Sequence, residues 1–399
     1  MFSHLSVATV YAAWSFIRSF LHRGWWLVTS LYLVTQASLS PFELVFLGTA
    51  QGLTVIAAEV PAGVFADAYS RKWSLVVAHA LMGLGMIGTG LVLSFPALVV
   101  TQMIWGLSWT FSSGADVAWM TDELEDPEET SGALIRAAKW SHAGSALGIT
   151  SIGALAWATS LSTAIVSAGL GMWLLGVVVA MVFSEENFNR SQPGQMLSIA
   201  WSTLRTGLYR IRSHRVLVHI LLCTYLVNGA DEAFGRLYAK QLVELGLPSG
   251  AAPVFWLSLL AVASLGLSIA ALSVANRIIQ RTENHASAYG VAAIAGFLGL
   301  LLFALSPGFE IAAFAVLVVG GIAMSVMRTV SEVWANSHSS SEVRATVQSF
   351  LSLAENVGEV SLGFFLAIIA SYAGIPIAMI GSSAILLGVV VLVRFQLRQ

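Results

Sequence analysis

The chain has 399 residues, of which 57% are hydrophobic and only 10% charged, and its mean hydropathy is +0.81. A soluble domain needs roughly 25% charged residues to cover its surface, so this composition excludes one and makes lipid the surrounding solvent. The formal net charge of −2 excludes nucleic acid as a partner.

A bilayer core takes roughly 20 apolar residues per helix. Read between Pro, Gly, Asn and charge clusters, the chain is predicted to cross twelve times: 7–34, 42–66, 73–94, 96–121, 133–157, 161–183, 216–242, 253–276, 286–306, 310–335, 345–371 and 375–394. None of these stretches alternates polar and apolar residues over its length, which excludes a β-barrel. Span 1 has no basic stretch before it, so no cleavable signal peptide is expected. It carries Arg18 and His22 on one helical face, with Arg23 beside them. Span 2 carries Glu59, span 3 His79, and span 4 a stripe of Trp105, Trp109, Ser112 and Asp116. Such a stripe packs, or lines a cavity for flat apolar molecules. Single histidines such as His79 and His142, with no ligand-spaced partner, read as satisfied core residues and not as metal ligands.

The stretch 184–215 divides the chain six spans from six. Its Leu197, Trp201, Leu204, Leu208 and Ile211 recur at helical spacing opposite arginines, which predicts an amphipathic helix lying on the inner leaflet. Beyond it, span 7 holds Cys223, which cannot form a disulfide within the chain, and then Asn228, Asp231 and Glu232. Span 10 carries Arg328 and Glu332, and span 11 carries Glu355 and Glu359 with Asn356 between them. Most of the 19 Lys and Arg residues fall in alternate connections and at the C-terminus, which places both termini in the cytoplasm of a cell membrane. The layout predicts an all-α membrane protein of two pseudo-symmetric six-helix bundles, 1–183 and 216–399, joined by the linker 184–215. Asp116 with Trp119 and Glu332 with Trp334, near the ends of spans 4 and 10, form one weak internal echo.

The connection between spans 2 and 3 reads Gly63-Val64-Phe65-Ala66-Asp67-Ala68-Tyr69-Ser70-Arg71-Lys72. It resembles the signature loop of the major facilitator superfamily, G-x-x-x-D-(R/K)-x-G-R-(R/K), in its expected place. Gly63, Asp67, Arg71 and Lys72 match, whereas Ala68 and Ser70 replace the usual basic residue and second glycine. Gln102 stands where the family often has a span 4 arginine, with Gly106 kept. Span 5 has Gly144, Gly148 and Gly153 but no proline, unlike the Gly-Pro-rich motif of drug/proton antiporters. The topological resemblance covers the whole chain and implies secondary transport by alternating access. It also implies a conformational latch of Gly63, Asp67, Arg71 and Lys72, with Asp122 as partner of Arg71. Gly63 would let span 2 approach a neighbouring helix closely.

An ionised side chain in a helix core costs at least about 2.5–3.5 kcal/mol, so each is a functional candidate. Arg18, His22, Asp116, Asn228, Asp231, Glu232, Arg328, Glu332, Glu355 and Glu359 are the expected substrate and proton pathway. Glu355 and Glu359 share a face and suit a shared proton, or else pair with Arg18, Arg23 or Arg328. Asp116, Glu332 and Glu59 lie toward the inner ends of their spans and read as gating residues. The chain has no G-x-x-x-x-G-K-[ST], no H-E-x-x-H and no Cys/His cluster, so neither bound ATP, a metal, another cofactor nor an enzyme's chemistry is expected. The expected activity is proton-coupled efflux of a small amphipathic compound by a monomer in contact with membrane lipids. Its rivals are an organic-anion permease, a lipid or amphiphile translocator, and a non-transporting scaffold or sensor.

Overall fold

The computed structural model describes residues 6–124, 126–188, 212, 214–339 and 344–396, and all regular structure among them is helical. In chain order the helices are α1 (Val7–Thr35), α2 (Pro41–Ala68), α3 (Arg71–Leu91), α4 (Phe95–Ser112), α5 (Ala115–Leu124), α6 (Pro127–Ala158), α7 (Leu161–Val182), α8 (Arg215–Glu244), α9 (Pro253–Thr282), α10 (His285–Ala304), α11 (Phe309–Ser337), α12 (Arg344–Ala373) and α13 (Ile375–Gln396). Their starts are chemically marked. The Ser70 and Ser160 hydroxyls and the Asp126 and Asn284 side chains accept the first free N–H groups of α3, α7, α6 and α10. Pro41, Pro127 and Pro253 stand where a missing N–H costs nothing.

Among the described residues nine helices are long and apolar enough to cross a bilayer, and the chain is a multi-pass membrane protein. Helices α1, α4 and α6 are outside that set, short of the twelve expected crossings. The reason lies in their polar content: Arg18, His22 and Arg23 in α1, Gln102 and two tryptophans in α4, and in α6 His142 with the serines, threonine and glycines of the charge-free stretch 141–158. The expected span 96–121 is two helices. Gly114 adopts φ +74°, a left-handed backbone that glycine takes without penalty, and the chain turns there between α4 and α5. Within α11, Leu317–Met324 is wound as a π-helix, and the Ser325 hydroxyl donates to the Gly320 carbonyl at 3.0 Å. The amphipathic segment expected from Leu197 lies outside the described residues, apart from Arg212.

Two compact units form. The first gathers Met1–Ser38 and Leu53–Ile199, the second Leu39–Gly52 and Ala200–Gln399, so α2 contributes to both. In the first unit α1 packs on α6 and α7, and α3 packs on α4 and α7. In the second, α8 packs on α12 and α13, α10 on α13, and α9 on α11. The tightest crossing in each unit is made in the same way. A Cβ on Gly148 of α6 would collide with the Phe20 carbonyl of α1, and one on Gly24 would come within 2.5 Å of the Gly148 carbonyl. In the second unit a Cβ on Gly358 of α12 would collide with the Tyr225 carbonyl of α8, and one on Gly229 would come within 2.8 Å of the Gly358 carbonyl. The first helix of each unit thus meets its partner backbone to backbone, as helices in lipid do where dispersion is the main attraction.

Candidate functional site

In the first unit Arg18 is the centre of an aromatic and hydroxyl-rich cluster. Its guanidinium carbon lies 5.1 Å from the Trp14 ring and 5.2 Å from the Trp109 ring. Both are within cation–π range. Nη2 donates to the Ser112 hydroxyl at 3.0 Å, and Nη1 stands 3.8 Å from the Asp116 carboxylate. The turn at Gly114 starts a new helix at Ala115, which puts Asp116 in the first turn of α5, where the helix dipole favours an anion. A cavity of about 260 Å³ opens here, lined by Arg18, Asp116, Tyr11, Ser15, Ser19 and Ser141 among others. One turn along, Trp109, Trp105 and His22 form a ladder with centroid spacings of 5.7 and 5.4 Å. Buried nitrogens at His22 Nε2, Trp25 Nε1 and Trp105 Nε1 have no hydrogen-bond partner among the described residues. His79 is fully satisfied: Nε2 accepts from Trp14 Nε1 at 3.0 Å, and Nδ1 donates to the Leu75 carbonyl at 2.6 Å.

A second cluster forms where α2 meets α3. Arg71 pairs tightly with Asp122, stands 3.6 Å from Asp67, and donates to the Ala118 carbonyl at 2.8 Å. Lys72 contributes its backbone N–H, which donates to Glu185 at 3.1 Å, and Glu185 also accepts from the Ser70 hydroxyl at 2.5 Å. Glu123 accepts from the Ser184 hydroxyl and from the N–H groups of Glu186 and Asn187. Trp119 stacks on Phe183 at 4.0 Å and donates to the Ser184 carbonyl at 2.6 Å. The residues after α7 are therefore fastened to α3 and α5. Glu185 and Glu123 were not among the expected latch residues, because their partners are backbone N–H groups that no residue pattern reveals. Gly63 corrects an expectation: a Cβ there would meet nothing within 4 Å, so it serves no close helix approach.

In the second unit the cluster around Arg328 is mostly acidic. Arg328 of α11 stands 3.4 Å from Asp231 of α8, and it also interacts electrostatically with Glu332, Glu355 and Glu359. Neither Glu355 nor Glu359 has a hydrogen bond or an ion pair among the described residues. Glu232 is engaged elsewhere. Its carboxylate accepts from Arg236 Nε at 2.9 Å, and Arg236 Nη2 donates to Gln51 of α2 at 3.1 Å. That pair lies against Gly48 and Gly363, where a Cβ would strike the Glu232 side chain. Asn228 turns back on its own helix and donates to the Thr224 carbonyl at 2.9 Å. Glu332 is exposed, and Glu59 accepts from the Ser113 hydroxyl at 3.1 Å. The structure thus gathers Asp231, Arg328, Glu355 and Glu359 around one locus, with Glu232 beside Glu359 but bonded to Arg236, and leaves Asn228 in local structure.

No family model matches the sequence, and no characterised sequence matches it. Solved structures do. The nucleoside transporter NupG is similar at a TM-score of 0.79 with 12% identity, over 99% of this chain and 100% of that one. A bacterial homolog of the human lysosomal transporter Spinster, inward-facing and occupied, is similar at 0.75 with 13% identity, over 98% and 96%. A POT family transporter in complex with 5-aminolevulinic acid is similar at 0.76 with 12% identity, over 96% and 94%. At these identities the likeness shows the fold alone: the chain has the all-helical membrane fold of these transporters.

Proposed function

We propose that the chain is a secondary transporter that moves a small amphipathic compound out of the cell in exchange for protons, by alternating access. It acts as a monomer with twelve crossings in two six-helix bundles, its termini in the cytoplasm of the cell membrane. The observation that carries this reading is the cost of the intramembrane charges. Arg18 and Arg328 stand 3.8 and 3.4 Å from their acids, whereas a charge-assisted hydrogen bond settles near 2.7–2.9 Å. Among the described residues Glu355 and Glu359 have no such partner. A scaffold gains nothing from ionisable groups held in this way, whereas a carrier whose acids and cations change partners during its cycle needs them. The likeness to three solved transporters supports the same reading. The cluster of Arg71, Asp67 and Asp122 serves as the latch, with Gly63 only at its margin and Lys72 acting through its backbone.

Reconstitution into proteoliposomes under an imposed pH gradient tests it. The expected result is uptake of amphipathic compounds that collapses when the gradient is dissipated. A scaffold would move no compound, and a lipid translocator would move labelled phospholipid instead.

A further inference from the structure

The first unit presents a cation to its cavity and keeps no place for a second one. The slot between Trp14 and Trp109, which suits a ligand cation, is already filled by the Arg18 guanidinium. Among the described residues that guanidinium makes a single hydrogen bond, to Ser112, and Asp116 stands 3.8 Å away. Part of its planar donor fork therefore remains for a ligand, and that fork matches a carboxylate in two-point geometry. The hydroxyls of Tyr11 and Ser15 on the cavity wall supply further donors, and Ser19 and Ser141, bonded to each other at 2.6 Å, leave one more between them. Beside them the Trp109 ring, 39% exposed, begins the ladder through Trp105 to His22. Along that ladder His22 Nε2 and Trp105 Nε1 are buried without partners. Buried polar atoms left in this way are costly unless water or a ligand meets them.

Resting on the transporter reading above, we infer that the substrate is a small planar aromatic acid. Its carboxylate binds Arg18, which turns from Asp116, and its ring rests against the exposed part of the Trp109 side chain.

The test is binding to the purified full chain in detergent, by calorimetric titration with 1-naphthoate, 1-naphthamide and 1-naphthylmethylamine. Naphthoate is expected to bind about tenfold or more tighter than the neutral amide, and the amine weakest. Arg18→Gln should erase the preference for the acid, Arg18→Lys should keep part of it, and Asp116→Asn should tighten naphthoate by releasing Arg18. Should Arg18→Gln fail to fold, Asp116→Asn decides: unchanged or weaker naphthoate binding overturns the inference. Tightest binding by the amine, or an acid preference that survives Arg18→Gln, overturns it too. Naphthoate bound through Arg18 without any flux in proteoliposomes would keep the site and end the transporter reading. Flux of the amine without acid binding would do the reverse.

Discussion

In each unit an arginine–aspartate pair ties α1 or α8 to a later helix, but with the signs exchanged. In the first, the cation is on the opening helix, Arg18 of α1, and the acid follows the α4–α5 break at Asp116. In the second, the acid is on the opening helix, Asp231 of α8, and the cation follows the π-helical stretch of α11 at Arg328. Their surroundings differ as well. Arg18 sits among tryptophans and hydroxyls, whereas Arg328 sits among further carboxylates. Below the charges the scaffold is the same, because α1 meets α6 and α8 meets α12 through a glycine set against a carbonyl. A repeated backbone contact thus carries two surroundings, which on the proposed function would hold a ligand in the first unit and exchange a proton in the second.

The pairs also differ in tightness. Arg236–Glu232, at 2.9 Å, and Arg71–Asp122 are closed, while the two pairs near the cavity and the acid cluster are open.

The largest expected effect tests the shared scaffold. Gly148→Val and Gly358→Val each push a side chain into a neighbouring backbone that cannot move aside, and each should cost about 3 kcal/mol or more. Thermal unfolding in detergent should show comparable losses for both; a loss confined to one would show that the two crossings are not counterparts. A smaller effect separates the closed pairs. Arg236 and Glu232 are only 8% and 15% exposed, against 19% and 28% for Arg71 and Asp122. Arg236→Gln strands a buried carboxylate and should cost about 3 kcal/mol, with Arg71→Gln well below that. Adding Glu232→Gln to the Arg236 variant should recover part of the loss. If Arg71→Gln proves the costlier in unfolding experiments, burial does not rank these pairs.

Much of this was legible in the residues. Apolar runs located the helices to within a few positions, since hydrocarbon requires long, internally bonded segments. The signature loop led to Asp122 as the neighbour of Arg71. The break at Gly114 was hidden, because a glycine within an apolar run reads equally well as packing. The π-helix before Arg328 leaves no mark in composition. Gly63 was over-read, since a motif glycine need not be a contact glycine. Nothing in the residues around Arg236 marks its surroundings. Its burial with Glu232 and Gln51 depends on α2, far away in the sequence.

The division of labour between the units is tested most directly by comparing two fluxes in proteoliposomes: accumulation driven by a pH gradient, and exchange of labelled for unlabelled substrate with no gradient. Glu359→Gln should lower gradient-driven accumulation about tenfold or more while leaving exchange near the parent rate, and Arg18→Gln should abolish both. Gradient-driven accumulation that is as strong in Glu359→Gln as in the parent would contradict the account.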